Sequence, residues 1–122
     1  MPRFVVQKHC KRKTRHFDLM LEKDGVLKTW SLEKLPDPYR SRLALQPIKH
    51  LPDHRLAYLT YQGKISLGRG TVKIWDKGLY QRILWKDNFK MIAVQGQKIT
   101  GYFIILSLLP RLQLRLLPLI RF

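Results

Sequence analysis

No part of this chain sustains a helical period. Instead, glycine and proline divide it into short runs in which apolar and polar residues alternate. Side chains on a strand point to opposite faces in turn, so this pattern predicts strands and excludes a helical bundle. Runs at 4–9, 16–22, 26–32, 42–46, 58–61, 71–75, 80–85, 90–95 and 98–106 are the strand candidates. Lys23-Asp24-Gly25 joins two of them, and Asp-Gly between alternating runs is a hairpin signal. Asp76-Lys77-Gly78 and Gln95-Gly96-Gln97 read as further tight connections, and 35–41 and 47–53, each with two prolines, as loops. Many short strands in 122 residues predict one all-β, mainly antiparallel domain, a small closed or partly open β-barrel with a cleft. That domain is expected over 1–109. The segment 110–122 is mostly Leu, Pro and Arg, is broken by Pro110 and Pro118, and reads as a basic tail against a barrel edge.

Charge narrows the class of partner. Lys and Arg number 24 against 8 acids, a formal net charge of +16. Such an excess repels itself in a compact state and points to a polyanion. Nucleic acid is the first candidate and an anionic membrane surface the second. The longest uncharged stretch, 99–110, has 12 residues, short of the roughly 20 that a spanning helix needs. The N-terminus turns basic without an apolar segment, so no secretory signal is expected. Cys10 is the single cysteine, which excludes an internal disulfide and fits a reducing, cytoplasmic setting. A soluble monomer is the expectation.

The run 16–22 carries the most chemistry. Phe17, Leu19 and Leu21 form one face, suited to a core, while His16, Asp18, Met20 and Glu22 share the other. An imidazole and a carboxylate two residues apart on a strand can share a divalent cation, with Mn, Fe or Zn all compatible. His9 ends the preceding run and is the third candidate ligand. A solvated polar face is the alternative reading of the same pattern. Between the histidines, Lys11, Arg12, Lys13 and Arg15, with Lys8 before them, place five cations within eight positions. They suit a nucleic-acid backbone, which positions a strand without reading its bases. Cys10 would point away from His9 and reads as structural. Asp53-His54-Arg55, followed by Tyr58, is a second polar cluster, in which His54 is a candidate phosphate ligand or general acid. Arg42 is a candidate phosphate clamp, because a guanidinium fork matches phosphate oxygens. His50 has no supporting context.

The order of these residues resembles the 3′-phosphoesterase domain of bacterial DNA ligase D. The resemblance is carried by Phe4-Val5-Val6-Gln7-Lys8-His9, by His16-Phe17-Asp18 with Leu21-Glu22, and by the run from Asp24 to Trp30. It continues through Arg42-Leu43-Ala44, Asp53-His54 with Tyr58, and the run from Gly70 to Gly78, and it spans residues 3–106. It implies a stand-alone short version of a β-barrel enzyme that trims 3′ ends of DNA or RNA in a manganese-dependent way, with Zn or Co as the alternative metals. The enzyme would remove a terminal ribonucleoside and then the 3′-phosphate, leaving a 3′-hydroxyl for a ligase or polymerase partner. By resemblance His9, His16 and Asp18 hold the metal, His54 and Arg42 bind the scissile phosphate, Tyr58 is the third catalytic candidate at a position lining the site, and Gln7, Glu22, Thr29 and Lys34 line it as well. Met20 stands where the family carries Arg, Pro52 where it carries an acid, and the His9–His16 spacing is one residue longer. Two rival readings are a non-catalytic nucleic-acid-binding module that keeps the barrel, and a basic docking protein without nucleic acid.

Overall fold

The computed structural model describes residues 1–35, 46–108 and 113–120. The strands are β1 (Arg3–Lys11), β2 (Thr14–Lys23), β3 (Val26–Leu32), β4 (Gln46–His54), β5 (Gly63–Lys64), β6 (Thr71–Lys86), β7 (Phe89–Gly96), β8 (Thr100–Leu108) and β9 (Gln113–Ile120). A 3-10 turn, Leu56–Leu59, follows β4. Asp24 and Gly25 both have positive φ, at 55° and 78°, as a tight β2–β3 hairpin requires. The strands pair antiparallel, and the ladder runs β1-β2-β3-β4-β9-β8-β7-β6 with β5 added beyond β6. β1 also pairs with β6, so the sheet curls until its ends meet and forms the expected barrel.

Phe17, Leu19 and Leu21 point inward, as their alternation predicts. They join Phe4, Val6, Trp30, Leu32, Tyr80, Ile92, Val94, Phe103 and Ile105 in one buried cluster drawn from around the ring. The opposite face of β1–β3 is not solvated. There Val5, Met20 and Leu27 are covered by Leu59 of the 3-10 turn, with Leu56, Tyr58 and Ile74 packed alongside. The barrel thus has an apolar interior and a second covered patch on its outside.

Four sequence expectations change. Segment 47–53 is strand rather than loop. Pro47 precedes the residues paired to β3 and has only β9 alongside, and Pro52 falls in a bulge where β4 fits two residues against Lys28, so both lie outside the regular β3–β4 ladder. Segment 58–61 is not a strand: Tyr58 N–H bonds the Arg55 carbonyl and Thr60 N–H the Ala57 carbonyl, making the 3-10 turn. The Asp76-Lys77-Gly78 step does not turn the chain, and β6 runs through it. The buried Asp76 carboxylate accepts N–H bonds from Lys77, Gln97, Lys98 and Ile99, so it builds the β7–β8 connection instead. Residues 113–120, set apart by sequence as tail, form β9 between β8 and β4. Pro118 lies beyond the stretch 114–116 that pairs with β4, where only β8 is alongside. The expected strand at 42–46 falls outside the described residues except for Gln46, the first residue of β4. Among the described residues no helix is long and apolar enough to cross a membrane.

Candidate functional site

The hairpin register builds the site. His9 and His16 stand directly opposite each other in the β1–β2 ladder, and so do Gln7 and Asp18. Directly opposed residues share a face. All four therefore lie on the outer face, below the 3-10 turn and the loop leading to β6. His54 joins them because of the β4 bulge. Leu51 opposes Thr29, but after the two-residue bulge His54 opposes Leu27, an outward residue. Regular alternation would have turned its imidazole into the barrel. The resulting cavity of about 310 Å³ is lined by Gln7 and His9 of β1, Asp18 and Met20 of β2, and Asp53 and His54 of β4. Arg55, Tyr58, Ile65, Arg69 and Val72 complete it.

His9 Nδ1 lies 3.2 Å from His16 Nε2, and His16 Nε2 lies 3.1 Å from Asp18 Oδ1. One ligand atom from each of these residues lies within 4.8 Å of the others. Donors about 2.0–2.2 Å from a common ion are themselves roughly 3.0–3.4 Å apart, so the His9–His16 and His16–Asp18 approaches have the spacing of neighbouring ligands. Proton accounting points the same way. His9 Nε2 is 2.6 Å from the Arg69 carbonyl and must donate to it. His9 Nδ1 is then an acceptor in the neutral ring. The His16–Asp18 approach is an ion-pair contact without hydrogen-bond geometry, because buried Asp18 Oδ1 has no hydrogen-bond partner. Gln7 Oε1 is likewise unpartnered, since its amide donates to the Tyr58 and Tyr61 carbonyls at 2.7 and 3.3 Å. Buried acceptors without donors are costly, and a cation would satisfy several together. The donor set therefore fits a divalent metal. The Asp18 carboxylate also raises the pKa of His16 above its ordinary value, against the opposing effect of burial.

The remaining predicted residues divide. Tyr58 packs edge-on against His54, with ring centroids 5.6 Å apart, and His54 Nδ1 bonds the Pro52 carbonyl at 2.9 Å. Lys11, Arg12, Lys13 and Arg15 are exposed at the tip of the β1–β2 hairpin, beyond His9 and His16. Lys8 opposes Phe17 and shares the inward face, away from His9. Cys10 opposes Arg15, also off the His9 face. Glu22 lies outside the cavity lining and clasps Arg3, with Oε2 at 2.7 Å from its guanidinium. Thr29 is buried and donates to the Leu27 carbonyl, and Lys34 is exposed just after β3; neither lines the cavity. Arg42 lies outside the described residues. His50 stacks on Trp30 at 5.4 Å. Arg55 and Arg69 line the cavity although neither was assigned a role from the sequence. Both sit in loops without periodicity, and the proximity of Arg55 to His54 was the only signal.

Comparison with known proteins gives a consistent result. The DNA Ligase D 3′-phosphoesterase domain matches residues 7–107. A multifunctional non-homologous end joining DNA repair protein LigD of Mycobacterium tuberculosis is 36% identical over 112 residues, covering 84% of this chain and 14% of that protein. The multifunctional non-homologous end joining protein LigD of Pseudomonas aeruginosa is 36% identical over 110 residues, covering 81% and 12%. The corresponding protein of Mycolicibacterium smegmatis is 32% identical over 121 residues, covering 86% and 15%. The chain thus spans about one-seventh of the length of these relatives.

Proposed function

This chain belongs to the DNA ligase D 3′-phosphoesterase domain family, and from there we propose that it is a metal-dependent phosphoesterase acting on nucleic-acid 3′ ends. The observation that carries the reading is the convergence of His9, His16 and the unpartnered Asp18 oxygen beside a cavity that His9 and Asp18 line together with His54, Tyr58, Arg55 and Arg69. His9, His16 and Asp18 would hold the metal, Mn by family, with Zn or Co compatible with the same donors. A divalent cation there neutralises phosphate oxygens and lowers the pKa of a bound water.

The chain's own residues supply the rest. Because His54 Nδ1–H is committed to the Pro52 carbonyl, Nε2 is the nitrogen available to substrate. In the protonated ring it donates to a phosphate oxygen or hands a proton to the departing 3′ oxygen. The Arg55 guanidinium offers paired donors to the remaining phosphate oxygens, and Arg69, with Nε and Nη2 bonded to Ser66, adds its positive charge to the same wall. Asp18, at 4% exposure, sits where water screens electrostatic interactions weakly. The cations at the hairpin tip hold the strand leading to the reacting end. Hydrolysis of a 3′-phosphate consumes one water and leaves a 3′-hydroxyl and inorganic phosphate. Removal of a 3′-ribonucleoside would precede it on ends that carry one. The product suits a ligase or polymerase in DNA repair, and the names of the relatives support end joining as the setting.

The test is incubation with a labelled strand bearing a 3′-phosphate, with and without Mn²⁺. Metal-dependent phosphate release supports the proposal. Met20, an apolar side chain in the cavity wall, favours a second reading, a binding module that keeps the barrel without turnover. Strand binding that ignores metal, with no phosphate released, would establish that module instead.

A further inference from the structure

The loop before β6 reaches the metal-ligand set through its main chain, at Arg69. Its shape is held internally. Ile65 N–H bonds the Gly70 carbonyl at 2.8 Å, and the Arg69 guanidinium bonds Ser66 O at 3.0 Å and Ser66 Oγ at 3.1 Å. Leu67, Gly68 and Gly70 all have positive φ, so the chain doubles back tightly. The loop is also seated on β1. A Cβ on Gly70 would lie 2.0 Å from the Cys10 carbonyl oxygen, so only glycine allows this approach. Cys10 adjoins His9, and the Arg69 carbonyl is thereby brought 2.6 Å from His9 Nε2.

A carbonyl only accepts, so the nitrogen facing it must carry a proton. In a neutral imidazole the other nitrogen then has a lone pair. Here that nitrogen is Nδ1, and it faces His16 Nε2 at 3.2 Å. We propose that Arg69 is a positioning residue whose main-chain carbonyl locks His9 in the Nε2–H tautomer and presents Nδ1 to the cation. The two histidines of the site therefore ligate through different nitrogens, Nδ1 of His9 and Nε2 of His16. Loop docking and metal binding become one coupled event, since a displaced loop frees the His9 ring to change tautomer and rotate. Partners of this kind around a ligating imidazole change metal affinity by about 10- to 100-fold. The inference rests on the metal-site reading above.

The experiment is long-range proton–nitrogen NMR of the full chain, labelled with ¹⁵N, first without metal and then with Zn²⁺ as a diamagnetic probe. Without metal, His9 should show a protonated, slowly exchanging Nε2 and an unprotonated Nδ1. Zn²⁺ should then shift Nδ1 of His9 and Nε2 of His16. Gly70→Val, which lifts the loop from β1, should give mixed His9 tautomers and Zn²⁺ binding weakened about 10- to 100-fold. Arg69→Ala loses the bonds to Ser66 but keeps the carbonyl, the Ile65–Gly70 bond and the close approach of Gly70 to Cys10 that seat the loop, so it should keep both the tautomer and the affinity. An Nδ1–H tautomer in the wild-type protein overturns the inference, and so does an Arg69→Ala variant that mixes the tautomers. Both measurements stand even if Gly70→Val fails to fold. The Nε2–H tautomer without Zn²⁺ binding would sink the metal-site reading and the purpose assigned to the carbonyl. The Nδ1–H tautomer with Zn²⁺ bound would sink the positioning role alone.

Discussion

Asp18 and His54 face the same cavity from different strands, and their surroundings give them different tasks. On the proposed function Asp18 supplies the one carboxylate of the ligand set, a charge that two imidazoles cannot replace. Asp18→Ala should lose both Mn²⁺ binding and turnover. His54 is absent from that set, so His54→Ala should keep Mn²⁺ affinity and lose about 10²–10³-fold in turnover, the scale of one lost transition-state donor. Calorimetric Mn²⁺ titration beside a 3′-phosphate release assay separates the two; loss of metal binding in His54→Ala would reverse the assignment. Glu22 behaves differently. The Arg3 side chain and N–H hold its pKa down at about 2, from an ordinary 4.5. A depressed carboxylate pKa contributes stability that is full above the unfolded value and is lost as pH falls towards the folded one. The Tm gap between wild type and Glu22→Gln should be present at pH 6 and close between pH 4.5 and about 2. Its size should be modest because Arg3 is largely in solvent. At this scale the His16–Asp18 pair was legible because strand alternation alone puts i and i+2 together. His54 could be suspected but not aimed, since its direction depends on a bulge visible only in the β3–β4 register.

Among the elements, β1 and β2 were legible almost to their ends, and the Asp-Gly hairpin was legible in full, because turn chemistry and alternation agree there. β4 and β6 were not. In both, a residue that usually breaks a strand has its special need met by a distant element. Pro52 sits in a bulge, and Asp76 turns its carboxylate to the N–H groups of 97–99. Sequence shows the residue type but not the partner 20 or so positions away. Asp76→Ala should therefore destabilise the barrel by roughly 3 kcal/mol or more, since several partly buried N–H groups lose their acceptor. Chemical denaturation should show that loss with metal affinity per folded molecule unchanged. A loss under about 1 kcal/mol would mean that water replaces the carboxylate.

Over the whole molecule, charge is sorted rather than merely abundant. Of the 8 acids, Glu22, Asp24 and Asp53 pair with Arg3, Lys23 and Lys28, Asp76 is held by backbone, and Asp18 is in the cavity. The basic excess is left to the surface, where the hairpin tip concentrates Lys11, Arg12, Lys13 and Arg15. Replacing these with Gln should lower the slope of log K against log salt for a single strand by about 3, at roughly 0.7 for each phosphate no longer neutralised. Fluorescence titration over a salt series reads it, and an unchanged slope would place the strand elsewhere. Overall architecture was legible from the strand pattern, but ring closure was not, because it depends on β9, which Pro118 within it and Pro110 before it hide. The two faces of β1–β3 carry a longer consequence. Gln7 and His9 line the cavity on the outside, while Val6 beside them and Phe17 across the hairpin fill the interior. Evolution can thus revise one set of letters without rewriting the other. A descendant that loses its histidines need not lose its shape, and a laboratory could install a different reaction in this groove while inheriting the scaffold intact.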